Sequence, residues 1–232
     1  VAATGVTIEI QPGATLRSAS APITVLSNPN PLSQAAIIND GTIEATGSSL
    51  AINAGPTGSS IVNGGVIRAA GNTAVTFGGT GGPGSLRNLA SGVISGTLGV
   101  QSNSGTITNE GLIEGRSSRA FQAPVGSSVS IVNSGLMRGL AVSGTMVRFN
   151  NGSDTFTSAG TSSLVDTSVA NGTGGVDGVT GVDTFIFNRS QDSTTSHAIL
   201  NFETLRQIGA NRVLLDTSVT LSGAPTLTSI EA

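Results

Sequence analysis

One short phrase recurs five times along the chain and constrains its fold more than any other feature. Each copy has an Asn, a Gly two to four residues later and an aliphatic residue two positions further on, as in Asn39-Asp40-Gly41-Thr42-Ile43. Successive glycines of the phrase are 24, 27, 19 and 24 residues apart, a variable period that is typical of a solenoid. The repeated residues are Asn39, Asn63, Asn88, Asn109 and Asn133, with Gly41, Gly65, Gly92, Gly111 and Gly135.

The composition favours strands over helices. The chain of 232 residues has 33 Gly, no Cys, Trp or Tyr, only 3% aromatic residues and 37% hydrophobic residues, most of them small or β-branched. Such a chain has to build its core from many thin, repeated layers, which predicts an all-β fold of stacked coils about 19–27 residues long. Asn201 to Ile208 is the one stretch with modest helical character.

The charge pattern argues against a nucleic-acid partner. The formal net charge is −3, all ten basic residues are arginines scattered along the chain, and aromatic residues for base stacking are few. No apolar run is long enough to predict a membrane-spanning helix. The sequence also shows no basic, apolar leader segment.

Each position of the phrase has a predicted role. The Asn side chains are expected to form an amide ladder from coil to coil, and the glycines to supply the positive φ of a tight turn. Because side chains alternate along a strand, one inward column of aliphatic residues, a second of small residues and an outward column between them are expected. In chain order these columns are Ile43, Ile67, Ile94, Ile113 and Met137; Ala45, Ala69, Gly96, Gly115 and Gly139; and Glu44, Arg68, Ser95, Glu114 and Arg138.

The outward column tests the register. Coils lie about 4.8 Å apart, so Glu44 is expected to pair with Arg68, and Glu114 with Arg138. The phrase stops near residue 147, and other short motifs follow, from Phe149 to Phe156 and from Gly181 to Phe187. We interpret residues 1–232 as a single β-helix segment, with Asn-x-Gly-x-Ile coils over 1–147 and variant coils over 148–232.

These motifs, together with Asn201-Phe202-Glu203-Thr204-Leu205, resemble the passenger domains of autotransporters (type V secretion) of Gram-negative bacteria, over about residues 35 to 222. The resemblance implies a right-handed parallel β-helix that is surface-exposed at the outer membrane or secreted. It further implies a non-catalytic virulence or adhesion role, in cell–cell aggregation or in attachment to a host or matrix molecule. The expected partner is another copy of the chain or such a molecule. Membrane attachment is implied only through a translocator barrel that this sequence does not show.

Two other functions stay open from the sequence. One is a secreted effector whose loops bind a host receptor. The other is a polysaccharide-active enzyme with a groove along the helix, which would need clustered carboxylates. We expect no enzyme activity and no cofactor.

Three aspartates are candidate calcium ligands. Asp154, Asp177 and Asp183 each fit the G-x-D-x-U core of the calcium-binding nonapeptide of RTX β-rolls. Their spacings of 23 and 6 residues differ from the tandem nine-residue repeat, however, and the alternative is that they cap turns between coils. His197, the only histidine, follows a Ser/Thr-rich stretch and is expected to be solvated in a loop.

Overall fold

The computed structural model describes residues 5–25, 35–55, 58–78, 82–124, 126, 128–140, 145–161, 164–167, 174–195, 197–215 and 219–231. These residues form strands and no helix. The first four turns of the chain contain β1 (Val6–Ile10), β2 (Thr15–Ser18), β3 (Ile23–Thr24), β4 (Ala35–Asn39), β5 (Thr42–Ala45), β6 (Ile52–Asn53), β7 (Ser60–Asn63), β8 (Val66–Ala69), β9 (Val75–Phe77), β10 (Gly84–Asn88), β11 (Val93–Gly96) and β12 (Val100–Ser102). The remaining strands are β13 (Ser104–Asn109), β14 (Leu112–Gly115), β15 (Phe121–Gln122), β16 (Ser128–Asn133), β17 (Leu136–Gly139), β18 (Val147–Arg148), β19 (Thr155–Gly160), β20 (Leu164–Thr167), β21 (Gly175–Asp177), β22 (Thr184–Arg189), β23 (Ser193–Thr195), β24 (Ala198–Ile208), β25 (Val213–Leu215) and β26 (Val219–Glu231).

Every pairing between these strands is parallel, so the described chain is a parallel β-helix, as predicted. Each turn supplies one strand to each of three faces. The first face runs from β1 through β4, β7, β10, β13, β16 and β19 to β22 and the C-terminal part of β24. The second is a seven-stranded sheet of β2, β5, β8, β11, β14, β17 and β20. The third runs from β3 through β6, β9, β12, β15, β18 and β21 to the N-terminal part of β24.

The turn lengths agree with the predicted range along the asparagine ladder. Paired asparagines on the first face are separated by 24, 25, 21 and 24 residues. Two turns on this face are longer than predicted: Val6 pairs with Ala35 in the first turn, and Asp154 and Asp183 occupy neighbouring turns later, with 29 residues between the partners in both cases. On the second face, the last two strands β23 and β25 pair with each other in a separate sheet.

The core is made of the predicted columns. Ile43, Ile67, Ile94, Ile113 and Met137 stack in register on the second face and are fully buried. The small inward residues lie where the chain turns sharply. A Cβ added to Gly96 would meet the backbone of Asn72, Ala74 and Leu98. The few aromatic residues are concentrated instead in the later turns.

All seven phenylalanines are buried, and six of them form a connected cluster in that section. Phe185 is its centre, with ring centroids 5.3 Å from Phe156, 4.9 Å from Phe187 and 5.5 Å from Phe202. Phe149 links Phe202 to Phe121. In these turns the aromatic rings fill the interior of the β-helix, which the Ile and Ala columns fill in the earlier turns.

Asn201 to Ile208, the stretch with modest helical character, is extended and belongs to β24, with Phe202 and Leu205 in the core. One expectation about local structure was wrong. The glycines of the phrase do not have positive φ angles. They are required for close approach: a Cβ on Gly65, Gly111 or Gly135 would overlap the carbonyl oxygen of the corresponding glycine one turn earlier.

Candidate functional site

The first set of polar groups lies inside the helix, where the five asparagines form the predicted ladder. Each side chain is fully buried, and Nδ2 of each of the first four donates a hydrogen bond to the Oδ1 of the next asparagine at 2.7–2.8 Å. Nδ2 of Asn88 also donates to the carbonyls of Gly92 and Leu112, at 3.2 and 3.1 Å. The ladder therefore satisfies corner carbonyls as well as its own amides, and its role is structural.

The ladder also explains two of the glycines that follow the asparagines. A Cβ on Gly92 would overlap Oδ1 of Asn88 and the carbonyl of Asn63, and a Cβ on Gly111 would lie 3.0 Å from Nδ2 of Asn88. At these two glycines the missing side chain makes room for an amide of the ladder.

A second buried column consists of acids in the later turns. Oδ1 of Asp154 accepts a hydrogen bond from the Val129 amide at 2.6 Å, and Oδ1 of Asp183 accepts one from the Asp154 amide at 2.8 Å. Oε2 of Glu203 continues the column by accepting from the Asp183 amide at 2.6 Å. Each of these two aspartates, and Glu203, accepts a hydrogen bond from a backbone N–H of the preceding turn. Glu203 was not predicted to join this column, because its 20-residue spacing from Asp183 matches no step of the Asn-x-Gly phrase.

Burial perturbs two of these acids strongly. Asp154 and Asp183 are 1% and 0% exposed, and Oδ2 of each has no hydrogen-bond partner. Burial raises the pKa of Asp154 to about 6, against the opposing effect of hydrogen bonds from Val129 and Asn150. Burial also raises the pKa of Asp183 to about 7, and the nearby charges of Asp154, Glu203 and Asp177 add to the effect. Both acids therefore keep their proton to a higher pH than an exposed aspartate does.

Asp177, the third calcium candidate, lies at a neighbouring corner and is partly exposed. Its Oδ1 accepts hydrogen bonds from Nδ2 of Asn201 at 2.8 Å and from the Val179 amide at 3.0 Å. Val179 and Asn201 are the two described non-glycine residues with positive φ, at 68° and 58°. Among the described residues, no group of three or more His, Asp or Glu side chains is arranged to hold a metal ion.

The prediction for His197 was wrong. The side chain is 6% exposed, its ring centroid lies 6.3 Å from that of Phe185, and its Nε2 has no hydrogen-bond partner. Burial, with a smaller contribution from the charge of Arg189, lowers the pKa of His197 to about 4. The histidine is therefore a neutral core residue at physiological pH.

Two columns of side chains lie on the outer surface of the second face. Each occupies a strand position next to a buried one. The charged column forms both predicted ion pairs, Arg68 Nε to Glu44 Oε1 at 2.9 Å and Arg138 Nη2 to Glu114 Oε2 at 2.8 Å. Arg17, one turn earlier, adds a second contact to Glu44 at 2.5 Å. These pairs are partly exposed and contribute little stability each. Their geometry shows that the register was read correctly.

The column beside it is apolar and was not recognised from the sequence. Val66, Val93, Leu112 and Leu136 stack in register, point outward and are each partly exposed. Val93, Leu112 and Leu136 line a shallow groove of about 460 Å³ with Ser91 and Ser134. The signal was available in the phrase, since the residue directly after each of four glycines is aliphatic.

The first face carries an outward column of hydroxyl groups. Ser60, Ser85, Thr106, Ser130 and Thr155 occupy the same strand position over five consecutive turns, and Thr184 and Thr204 continue the column. A larger and less open cavity of about 750 Å³ is lined by residues of β23 and β25 and contains an ion pair of Asp192 with Arg212 at 3.1 Å. Among the residues that line this cavity, Asp192 is the one acid and Arg212 the one base.

Comparison with known proteins identifies no relative. No family model, no curated protein and no solved structure matches the chain. The described residues include no helix of the length and apolarity needed to cross a bilayer.

Proposed function

We propose that this chain is a non-catalytic adhesive segment of a bacterial surface-exposed or secreted protein of the autotransporter passenger class. Its role is contact with other copies of itself or with a host or matrix molecule. The observation that carries the proposal is the uniformity of the outward columns. Aliphatic and hydroxyl-bearing residues each keep their type over four or more consecutive turns, and the charged column is interrupted at Ser95.

The buried groups support a role without catalysis. Hydrolysis of a polysaccharide needs carboxylates that face the substrate. Asp154 and Asp183, the two acids with strongly raised pKa values, are 1% and 0% exposed and cap backbone amides. His197, whose pKa is lowered to about 4, is enclosed beside Phe185. The polar chemistry of the interior is used for stacking, and the outer faces remain for binding.

Display of the chain on cells tests this proposal. The chain would be fused to a surface anchor in a non-aggregating bacterial strain, and settling of the culture and attachment to immobilised matrix proteins would be measured. We expect faster settling or stronger attachment than in cells that display the anchor alone at equal surface density. Unchanged settling together with unchanged attachment would contradict the proposal.

A further inference from the structure

The charged column on the second face has an order that is complementary to its own reverse. Along the helix axis, one turn apart, it contains Glu44, Arg68, Ser95, Glu114 and Arg138. The charges are negative, positive, zero, negative and positive. Reversal of this series changes the sign at every charged position and leaves the serine in the middle.

This order of charges allows a second copy of the chain to pair with the first through opposite charges. A two-fold axis that lies parallel to the strands at the level of β11 brings the second faces of two copies together with their helix axes antiparallel. Glu44 of one copy then lies opposite Arg138 of the other, Arg68 lies opposite Glu114, and the two Ser95 side chains meet at the axis. Copies packed with parallel axes and this column on itself would instead place like charges together, which is unfavourable.

The aliphatic column obeys the same symmetry. It lies two residues before the charged column on each strand, so the same axis brings Val93 against Val93 and Val66 against Leu112 of the other copy. These side chains are partly exposed in the single chain, and Leu112 and Leu136 line the groove beside them. Packing of the two copies would remove this apolar surface from water.

We propose that two copies of this chain associate through β5, β8, β11, β14 and β17 as an antiparallel, isologous pair. The inference rests on the proposed adhesive function and names the partner and the face. Five strands of four residues cover roughly 24 by 13 Å, which is small beside the ~800 Å² per partner of a stable complex. The contact is therefore weak for one pair and becomes effective when many copies on two cells meet.

Analytical ultracentrifugation over a wide concentration range tests the pairing. We expect a reversible monomer–dimer equilibrium for the unaltered chain. Ser95→Glu places two carboxylates at the axis and is expected to weaken dimerisation at least ~10-fold. The matched control is Gln101→Glu, an outward residue of the third face in the same turn, which should dimerise like the unaltered chain. Circular dichroism and thermal melting establish that both variants are folded.

Spin-label distances test the orientation. The chain has no cysteine, so Ser95→Cys and Thr46→Cys each provide one labelling site on the second face. In the antiparallel pair the two labels at 95 are close, whereas those at 46 are separated by about four turns, roughly 19 Å, along the axis. Equal distances at the two sites would overturn the antiparallel arrangement.

The two proposals fail differently. A chain that stays monomeric at all concentrations, or a Ser95→Glu variant that dimerises normally, overturns the inference. If displayed cells still aggregate or attach in that case, the proposed function stands and another face is responsible. If they do neither, the proposed function fails as well.

Discussion

Replacement of Asn88 by Ala is expected to lower the free energy of unfolding by about 3–5 kcal/mol, a large part of the stability of an ordinary domain. The Asn88 side chain is fully buried in the middle of the ladder, with a neighbouring amide on each side at 2.8 Å. Its removal takes the donor away from Asn109 Oδ1 and from the carbonyls of Gly92 and Leu112. Buried acceptors left without donors carry most of the cost, and a small cavity adds to it.

Urea unfolding followed by circular dichroism measures this effect, provided that the m value stays unchanged. Asn72→Ala is the control. Asn72 is partly exposed and donates a bond of 2.8 Å to the Ser48 carbonyl, so its loss should cost about 1 kcal/mol or less.

The position in the ladder should also matter. Asn39 ends the ladder, and its Oδ1 already lacks a partner, so Asn39→Ala should cost less than Asn88→Ala. Equal costs for Asn88, Asn39 and Asn72 would show that the amide ladder contributes no special stability.

The sequence predicted the repeating section well because two simple periodicities act together there. Alternation along a strand separates Ile113 from Glu114, and the spacing of the phrase places Glu114 beside Arg138. Once both are known, the inward columns, the amide ladder and the two ion pairs follow without further information.

Prediction failed where one residue type serves two physical purposes. Glycine satisfies both a positive φ and a close backbone approach, and only the packing of Gly111 against Gly92 shows which applies. His197 follows serines and threonines that resemble a loop, yet the turn returns it to the core beside Phe185. In both cases, long-range contacts override the local pattern.

The acid column was only partly predictable for a similar reason. Asp154 and Asp183 were recognised as turn caps or calcium ligands, but their alignment depends on one turn of 29 residues and the next of 20. Irregular turns of this kind hide the register, so Glu203 could be added to the column only from the structure.

Asp183→Asn is expected to make the protein more stable at pH 8, by an amount that shrinks as the pH falls and disappears only near pH 4. Asp183 has a pKa of about 7 in the folded chain, raised from 3.8 by burial and by Asp154, Glu203 and Asp177. Between these two values the folded state binds more protons than the unfolded state, so this group loses stability as the pH rises from about 4 to 7. At about 1.4 kcal/mol per pKa unit, the gain from Asn at pH 8 is on the order of 4 kcal/mol.

The titration of His197 changes the free energy of unfolding with pH in the opposite direction. The difference in stability between the variant and the unaltered chain is therefore more informative than the stability of one chain. Its pKa falls from 6.5 to about 4 on folding, so its contribution to stability is lost as the pH falls from about 6.5 to 4. Urea midpoints are measured for both chains at pH 5, 6, 7 and 8. The difference between the midpoints of Asp183→Asn and of the unaltered chain is free of the His197 contribution. Asp192→Asn is the matched control, because Arg212 holds the pKa of Asp192 below its usual value and no titration is expected in this range.

Neutralisation of the Asp154 and Asp183 carboxylates by a proton and by a calcium ion leads to opposite predictions. If a proton neutralises the buried acid, the protein is most stable at low pH, and the variant with the amide keeps its stability at high pH. A carboxylate that ligates calcium is needed in its charged form, so Asp183→Asn would then be the less stable chain at pH 8 in calcium and would lose any response to chelator. Because Oδ2 of both Asp154 and Asp183 is buried and without a partner, we expect the proton outcome, with melting temperatures unchanged by calcium or EDTA. A calcium-dependent rise in melting temperature that Asp183→Asn abolishes would instead assign the acid column to metal binding.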